Sequence, residues 1–291
     1  MKTSTAIRDL TAIVIVTGIL SLNTLVYGEP NELAKGPTAD ELKTGKNFIV
    51  TKVYSAEDDE QILKLFAGLR VSDVTDGMDK VGLKNIGLVS PEIHPLWRDT
   101  EHFTHRVIGI AVTARYVPTN KSPAPEMETK AFDSWVSNWY NTLSPEPFVP
   151  LIRKGTVLVI DEAGDADVGT IGSNNIMGWK QKGCVGVVTN NTARDTDEIT
   201  TEKIPLYLKK VGRGIRPGRN EIESVNRPIV CGGALVEPGD VIVADGDGVV
   251  VVPRAKAKDV AEYAKIILDG DKAARRRLYK EMGIPSDDSV R

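Results

Sequence analysis

The chain has 291 residues, 41% of them hydrophobic and 26% charged, which is enough apolar mass for a sizeable core and too much for a disordered polymer. Lys plus Arg number 37 against 40 for Asp plus Glu, and a net charge of −3 is not the basic footprint of a nucleic-acid binder. Two cysteines and three histidines exclude a disulfide scaffold and a thiolate zinc site, so any catalysis falls to carboxylates, arginines and backbone amides.

Residues 1–28 open with Lys2 and Arg8, run apolar from Ala12 to Val26 and end on Val26-Tyr27-Gly28, the pattern of a secretory signal peptide. The alternative is a retained membrane anchor, against which stand the short apolar run and Asn23. Cleavage would leave a secreted or periplasmic protein with no membrane association, beginning near Glu29. Export would make pairing of Cys184 with Cys231 chemically available, but both sit in apolar runs (GCVGVV and PIVCGG) and read as buried free thiols. Residues 29–54 form a polar extension, a single domain is expected over 55–282, and 283–291 form a tail.

Ser55 before Ala-Glu-Asp reads as a helix cap, and Ile62, Leu63, Leu65, Phe66 and Leu69 follow at helical spacing. Ser72 opens a second short helix, SDVTDGMDKVG, whose Asp73 and Asp76 read as capping or a polar face. HRVIGIAVTARYV (105–117) alternates and is β-branched, so a strand is predicted, followed by a Pro-rich loop over 118–130. Phe132 to Leu143 is predicted helical, with Trp135 and Trp139 as packing residues. GTVLVID (155–161), a helix over 173–182 and CVGVVTN (184–190) make a strand–helix–strand unit, which implies parallel pairing. PLYLKK, EIESVN, PIVCG, DVIVAD and GVVVVP follow as short strands, the last two joined by a turn at Asp245-Gly246-Asp247-Gly248. An amphipathic helix from Ala255 to Leu268 continues as a charged segment to Met282, and the whole reads as α/β with a β-rich second half.

Gly169 and Gly172 flank the turn into the helix at Ser173. A helix start aims unpaired N–H groups and the positive end of the dipole outward, so the amides of Gly172, Ser173, Asn174 and Asn175 suit a carboxylate ligand. Arg194 and Asp195 follow the next strand, and the ends of neighbouring parallel strands converge on one side of a sheet. Arg194 offers a planar fork for a carboxylate, and Asp195 a hard oxygen for Mg2+ or Mn2+. An Arg–Asp surface pair is the plainer reading of the same two residues. Four other features carry less. His102 and His105 have metal-ligand spacing but no third histidine placed by sequence. GRGIRPG (212–218) is not the dinucleotide fingerprint. Asp161, Glu162, Asp165 and Asp167 read as a solvated strand end rather than a Ca2+ loop. Asn190-Asn191-Thr192 fits the glycosylation pattern but adjoins the proposed site.

GSNNIMGWKQKGCVGVVTNNTARD (172–195) resembles the signature of the RraA-like family, which includes class II 4-hydroxy-4-methyl-2-oxoglutarate/4-carboxy-4-hydroxy-2-oxoadipate aldolases and regulators that inhibit a ribonuclease. Gly172, Arg194, Asp195 and Glu198 reproduce its spacing, and LRVSDVTDGMDKVG, RVIGIAVTA and CGGALVEPGDVIVADGDGVVVVP resemble further blocks in the family's order. The resemblance implies a β/β/α sandwich of the swivelling-domain type with a C-terminal helix, assembled as a homotrimer or hexamer. It also implies a lyase that cleaves or decarboxylates a 2-oxo acid through a pyruvate enolate. By that likeness Arg194 binds the carboxylate and keto oxygen, the amides of Gly172 to Asn175 hold the same group, and Asp195 ligates Mg2+ or Mn2+. The aldolases commonly carry an acidic residue directly after the turn glycine, where this chain has Ser173. Glu262 and Asp269 are candidates for an acidic contribution to a neighbouring subunit. The alternative is a non-catalytic regulatory or binding protein. The regulators typically lack the Asp after the Arg, so Asp195 favours the lyase, as does the expected export.

Overall fold

The computed structural model describes residues 38–43, 45, 49–122, 124, 126–164 and 167–291, so the signal-peptide segment and Asp165 lie outside the described residues. The chain divides into two units, 1–48 and 49–291. The first contains the short helix α1 (Ala39–Lys43). No helix among the described residues is long and apolar enough to cross a membrane.

The larger unit opens with α2 (Ala56–Phe66), capped as expected: the Asp58 amide donates to Ser55 Oγ at 3.0 Å and the Ser55 amide to Asp58 Oδ2 at 3.2 Å. Helix α3 (Val71–Lys80) starts one residue before Ser72, because buried Asp73 accepts the Arg70 amide at 2.9 Å and pairs with its guanidinium. Then come β1 (His94–Pro95), β2 (Val107–Pro118), α4 (Thr129–Thr142), β3 (Thr156–Glu162), α5 (Ser173–Gln181), β4 (Cys184–Thr189), β5 (Thr192–Ala193) and α6 (Thr196–Thr201). The chain continues through β6 (Leu206–Leu208), β7 (Lys210–Val211), β8 (Asn220–Val225), β9 (Ile229–Cys231), β10 (Ala234–Val236), β11 (Val241–Asp245), β12 (Gly248–Val252) and α7 (Ala257–Met282). Gly283, at φ 69°, ends α7 in the left-handed conformation that suits glycine.

The main sheet runs β1-β6-β4-β3-β2-β11-β12. Its centre is parallel: β2 pairs with β3, β3 with β4 and β4 with β6, as the strand–helix–strand pattern predicts. The twelve residues of β2 serve two partners along one edge. Val107–Ile110 lie against β11, and Ala114–Pro118 against β8. Apolar side chains then fill three clusters. One lies under α5 and α6 around Leu158, Ile176, Trp179 and Leu206. A second lies under α2, α3 and α7 around Phe66, Met78, Val250 and Ala264. The third separates the main sheet from the β9–β10 hairpin. Trp139 is buried and packs against Trp135 with the rings tilted by 53° and 5.4 Å between centroids, which agrees with a packing role. Cys184 and Cys231 are free and buried.

Candidate functional site

Two links bring the end of β5, the short strand that follows β4, to the start of α5. Ile171 forms a parallel bridge to Ala193, and the Arg194 amide donates to the Ile171 carbonyl at 2.8 Å. The side chains of Arg194 and Asp195 therefore emerge beside the first turn of α5, where the sequence pattern places them. Gly172 caps that helix in extended conformation and has no side chain to offer its amides. The cap comes from across the turn instead, since Asp195 Oδ2 accepts from the Ser173 amide at 3.1 Å and lies 3.4 Å from Ser173 Oγ. A carboxylate in this place also meets the positive end of the helix dipole.

Both glycines are there for close approach. A Cβ at 169 would stand 2.5 Å from Arg194 Cβ, 2.6 Å from its Cγ and 2.7 Å from its Cδ. A Cβ at 172 would stand 3.0 Å from Asp195 Oδ2, 3.3 Å from Asn175 Oδ1 and 3.8 Å from Arg194 Nε. Asp195 itself takes φ 56° and ψ 40°, a left-handed conformation uncommon for a side-chain-bearing residue, and it caps α6. The two charged groups are neighbours, with Arg194 Nε 3.8 Å from Asp195 Oδ1, and their side chains are 35% and 37% exposed. A ligand can reach both, and neither is consumed by a buried pairing. Asn174 is exposed on the same first turn, and Glu198 is exposed in the first turn of α6.

Behind this mouth lies a polar cluster in which Arg216 and Tyr116 are buried and Glu146 and Asn175 half-buried. Glu146 Oε1 accepts from Asn175 Nδ2 and Arg216 Nη2, each at 2.7 Å, and its Oε2 accepts from the Trp179 indole at 2.9 Å. Arg216 Nη1 donates to the Tyr116 hydroxyl at 2.7 Å, and that hydroxyl donates to the Pro145 carbonyl at 3.2 Å. Burial works against the Arg216 charge, but Tyr116 and Glu146 hold it above its ordinary value, and burial pushes the Tyr116 phenol up. Glu146 and Arg216 carry no periodicity or motif in the sequence, and Arg216 sits in the GRGIRPG segment whose only legible feature is the lack of a nucleotide loop.

Other sequence candidates separate from the site. His105 is buried with Nδ1 accepting the Asp99 amide at 3.1 Å, whereas His102 is exposed near Asp288. The acidic strand end is not solvated as expected. Asp161 and Glu162 are buried, and Glu162 accepts from Thr170 at 2.7 Å and Asn220 at 2.8 Å. Burial pushes the Glu162 carboxyl up. Asp167 is exposed and paired with Arg213. Asn190 is committed to the Glu162 amide and to Asp161. Glu262 and Asp269 lie exposed on α7, Asp269 paired with Lys265. Among the described residues, no three His, Cys, Asp or Glu side chains cluster as a ready-made metal site.

The chain matches the family model for RraA-like proteins (Aldolase/RraA) over residues 71–251. It is 33% identical over 125 residues to a Halalkalibacterium halodurans protein named "Putative 4-hydroxy-4-methyl-2-oxoglutarate aldolase", covering 43% of this chain and 59% of that one. It is 24% identical over 201 residues to Protein DlpA of Legionella pneumophila, covering 68% of this chain and 28% of that one. The match thus spans only part of these curated relatives. Among solved structures, Streptomyces coelicolor RraAS2, described as an unusual member of the RNase ES inhibitor RraA family, superposes with a TM-score of 0.58. It is 21% identical, with coverage of 78% of this chain and 99% of that one. An uncharacterised Pseudomonas syringae protein superposes with a TM-score of 0.59 at 23% identity, covering 78% and 94%. At such identities the likeness speaks for the fold, and it agrees with the expected architecture. The family match, which takes in the α5 turn, Arg194 and Asp195, shows that this chain belongs to the RraA-like family.

Proposed function

We propose that this protein is a divalent-cation-dependent lyase that cleaves or decarboxylates a 2-oxo acid. The observation that carries the reading is the convergence of Arg194 and Asp195 on the N-terminus of α5, with Gly169 and Gly172 clearing the space between them. The aldolase names of the partial relatives support the same reaction class.

The donors at this mouth fit a hard cation. They are oxygens only, one of them a carboxylate, and Mg2+ characteristically takes one or two carboxylates and completes its shell with substrate and water. Gly172 keeps open the space beside Asp195 Oδ2 that a side chain would fill. Asp195 is the residue that would hold the cation, which when bound supplies Lewis-acid stabilisation to charge developing on the 2-oxo oxygen. Arg194 clamps the substrate carboxylate through its planar fork and fixes the orientation of the bond to be broken. The first-turn amides of α5 direct partial positive charge at the same group, although the Ser173 amide is already engaged by Asp195. Ser173 can donate or accept a hydrogen bond but supplies no charge, so proton handling differs here from relatives with an acid at that place.

Pyruvate release from a panel of 2-oxo acids with Mg2+ or Mn2+ tests the proposal. Activity should vanish with chelator, return with either cation and collapse in Asp195→Ala while circular dichroism stays unchanged. Full activity of Asp195→Ala in chelator would refute it. We also propose export, on the Lys2, Arg8 and Ala12–Val26 pattern, and a homotrimer or hexamer. An intact residue 1–28 segment on natively produced soluble protein would overturn the first, and a monomer by light scattering at micromolar concentration the second.

A further inference from the structure

Asn175 is a side chain of the site whose orientation is dictated from behind. Its amide lies between two environments. On one side is Glu146, which accepts from Nδ2 at 2.7 Å. A carboxylate offers only acceptors, so the NH2 group must face it and Oδ1 must face away. Away from Glu146 is the mouth, because the point where a side chain at 172 would begin lies 3.3 Å from Asn175 Oδ1 and 3.0 Å from Asp195 Oδ2. Two oxygens from different segments of the chain thus border one small volume that glycine leaves open, with Arg194 Nε farther off at 3.8 Å from the same point. Glu146 is in turn held by the buried Arg216, and it takes the Trp179 indole one turn further along α5. The amide therefore cannot turn without giving up its charge-assisted bond to a carboxylate that Arg216 and Trp179 hold in place.

We propose that Asn175 Oδ1 is a neutral oxygen ligand to the divalent cation at Asp195, standing in for the acidic side chain that Ser173 does not provide, and that Glu146 is the positioning residue that aims it. The proposal rests on the lyase reading, in that both place a cation at Asp195. It goes further by giving a role to the side chain of Asn175, for which the resemblance implies a role of the backbone amide alone. A neutral amide in place of a carboxylate lowers the negative charge of the mouth, which suits a substrate that itself brings carboxylates to the cation.

Binding of Mn2+ alone, followed by the electron paramagnetic resonance of the free ion, tests this without catalysis. Wild type should bind Mn2+, and Asp195→Ala should lose it. Asn175→Ala should raise the Mn2+ Kd by about ten- to a hundredfold, and Glu146→Gln by about tenfold, the range for ligands and their supporting shell. Asn175→Cys supplies a readout that a structural role does not move. The soft thiolate should bind Cd2+ with an ultraviolet charge-transfer band absent from wild type, whose two cysteines are buried. If Asp195→Ala loses Mn2+ but Asn175→Ala keeps the wild-type Kd, or Asn175→Cys binds Cd2+ with no such band, the assignment of Asn175 is overturned and the lyase reading stands. If wild type shows no Asp195-dependent Mn2+ binding, both fall. Should Asn175→Ala fail to fold, the Asn175→Cys band and the Glu146→Gln Kd decide alone.

Discussion

Glu146→Leu is the perturbation that tests the polar cluster around Arg216 most directly. The side chain accepts three hydrogen bonds, from Asn175, Trp179 and Arg216, at 2.7, 2.9 and 2.7 Å. Removing it leaves the Arg216 guanidinium, whose side chain is 6% exposed, with no carboxylate in hydrogen-bond contact, only the Tyr116 hydroxyl at 2.7 Å, the faces of Tyr116 and Tyr140 and the longer-range field of Glu162. Breaking a buried pair from one side costs about 3–5 kcal/mol, because the other charge is left uncompensated in a poorly polarisable surrounding. Replacing both partners with apolar groups of similar volume is often close to neutral. The double variant Glu146→Leu/Arg216→Met should therefore be less destabilised than the two single variants summed, by about 2 kcal/mol. For a domain of this size, 1 kcal/mol moves Tm by roughly 2–4 °C, which puts the Glu146→Leu loss on the order of 10 °C. Urea unfolding at neutral pH, followed by circular dichroism and tryptophan fluorescence, gives the four corners of the cycle. A single-variant loss below about 1 kcal/mol, or strict additivity, would refute the claim that these two charges hold each other in place.

Three further outcomes follow from the geometry. Gly169→Ala should push the Arg194 stem by the order of an ångström, since the added Cβ would meet Arg194 Cβ at 2.5 Å, and kcat/KM should fall about 10²-fold with the fold retained; unchanged kinetics would show that the guanidinium position is not set there. Arg194→Lys keeps the charge but loses the planar fork, so kcat should drop by about 10²–10³, some 2.7–4 kcal/mol, and a loss under threefold would remove Arg194 from the oxyanion role. Asp240, which accepts the Glu237 and Arg254 amides at 2.8 and 2.9 Å, has its carboxyl pushed up to about 6 by burial. The folded state therefore binds a proton that the unfolded state releases between about pH 4 and 6, and stability from this group falls as pH rises through that window. Asp240→Asn should consequently gain on wild type by up to about 3 kcal/mol between pH 4 and 6.5 in denaturant titrations, and a constant difference would contradict the shift.

Much of the fold follows from periodicity and short-range chemistry alone. The Ser55–Asp58 capping box, the β-branched runs of β2, β3, β4, β11 and β12, and the amphipathic α7 are encoded within a few residues of themselves. The strand–helix–strand pattern around α5 also carries its own topology, since a short crossover helix leaves the flanking strands little option but to run parallel. For that reason Gly172, Ser173, Arg194 and Asp195 could be placed at one end of the sheet before any coordinates. What the sequence misjudged are features that depend on remote partners. Asp161 and Glu162 look like a solvated strand end, and they are buried because Asn190, Thr170 and Asn220 arrive from three other segments to satisfy them.

The same distinction runs through the site. That a guanidinium, a carboxylate and a helix start share one mouth was legible, because the stretch from 172 to 195 holds one helix followed by β4 and the two-residue β5. That Asp195 caps α5, that Asn175 presents its oxygen to the space beside Gly172, and that Glu146 and Arg216 hold it there were not legible. These depend on Pro145-Glu146 before β3 and on the 212–218 segment before β8 folding against each other beside α5, and no local pattern encodes where two distant loops close. The sequence alone determines which elements form and which chemical groups stand at their ends. Only the tertiary structure decides which way those groups point, because orientation is set by hydrogen-bond partners that become neighbours once the chain has collapsed around them.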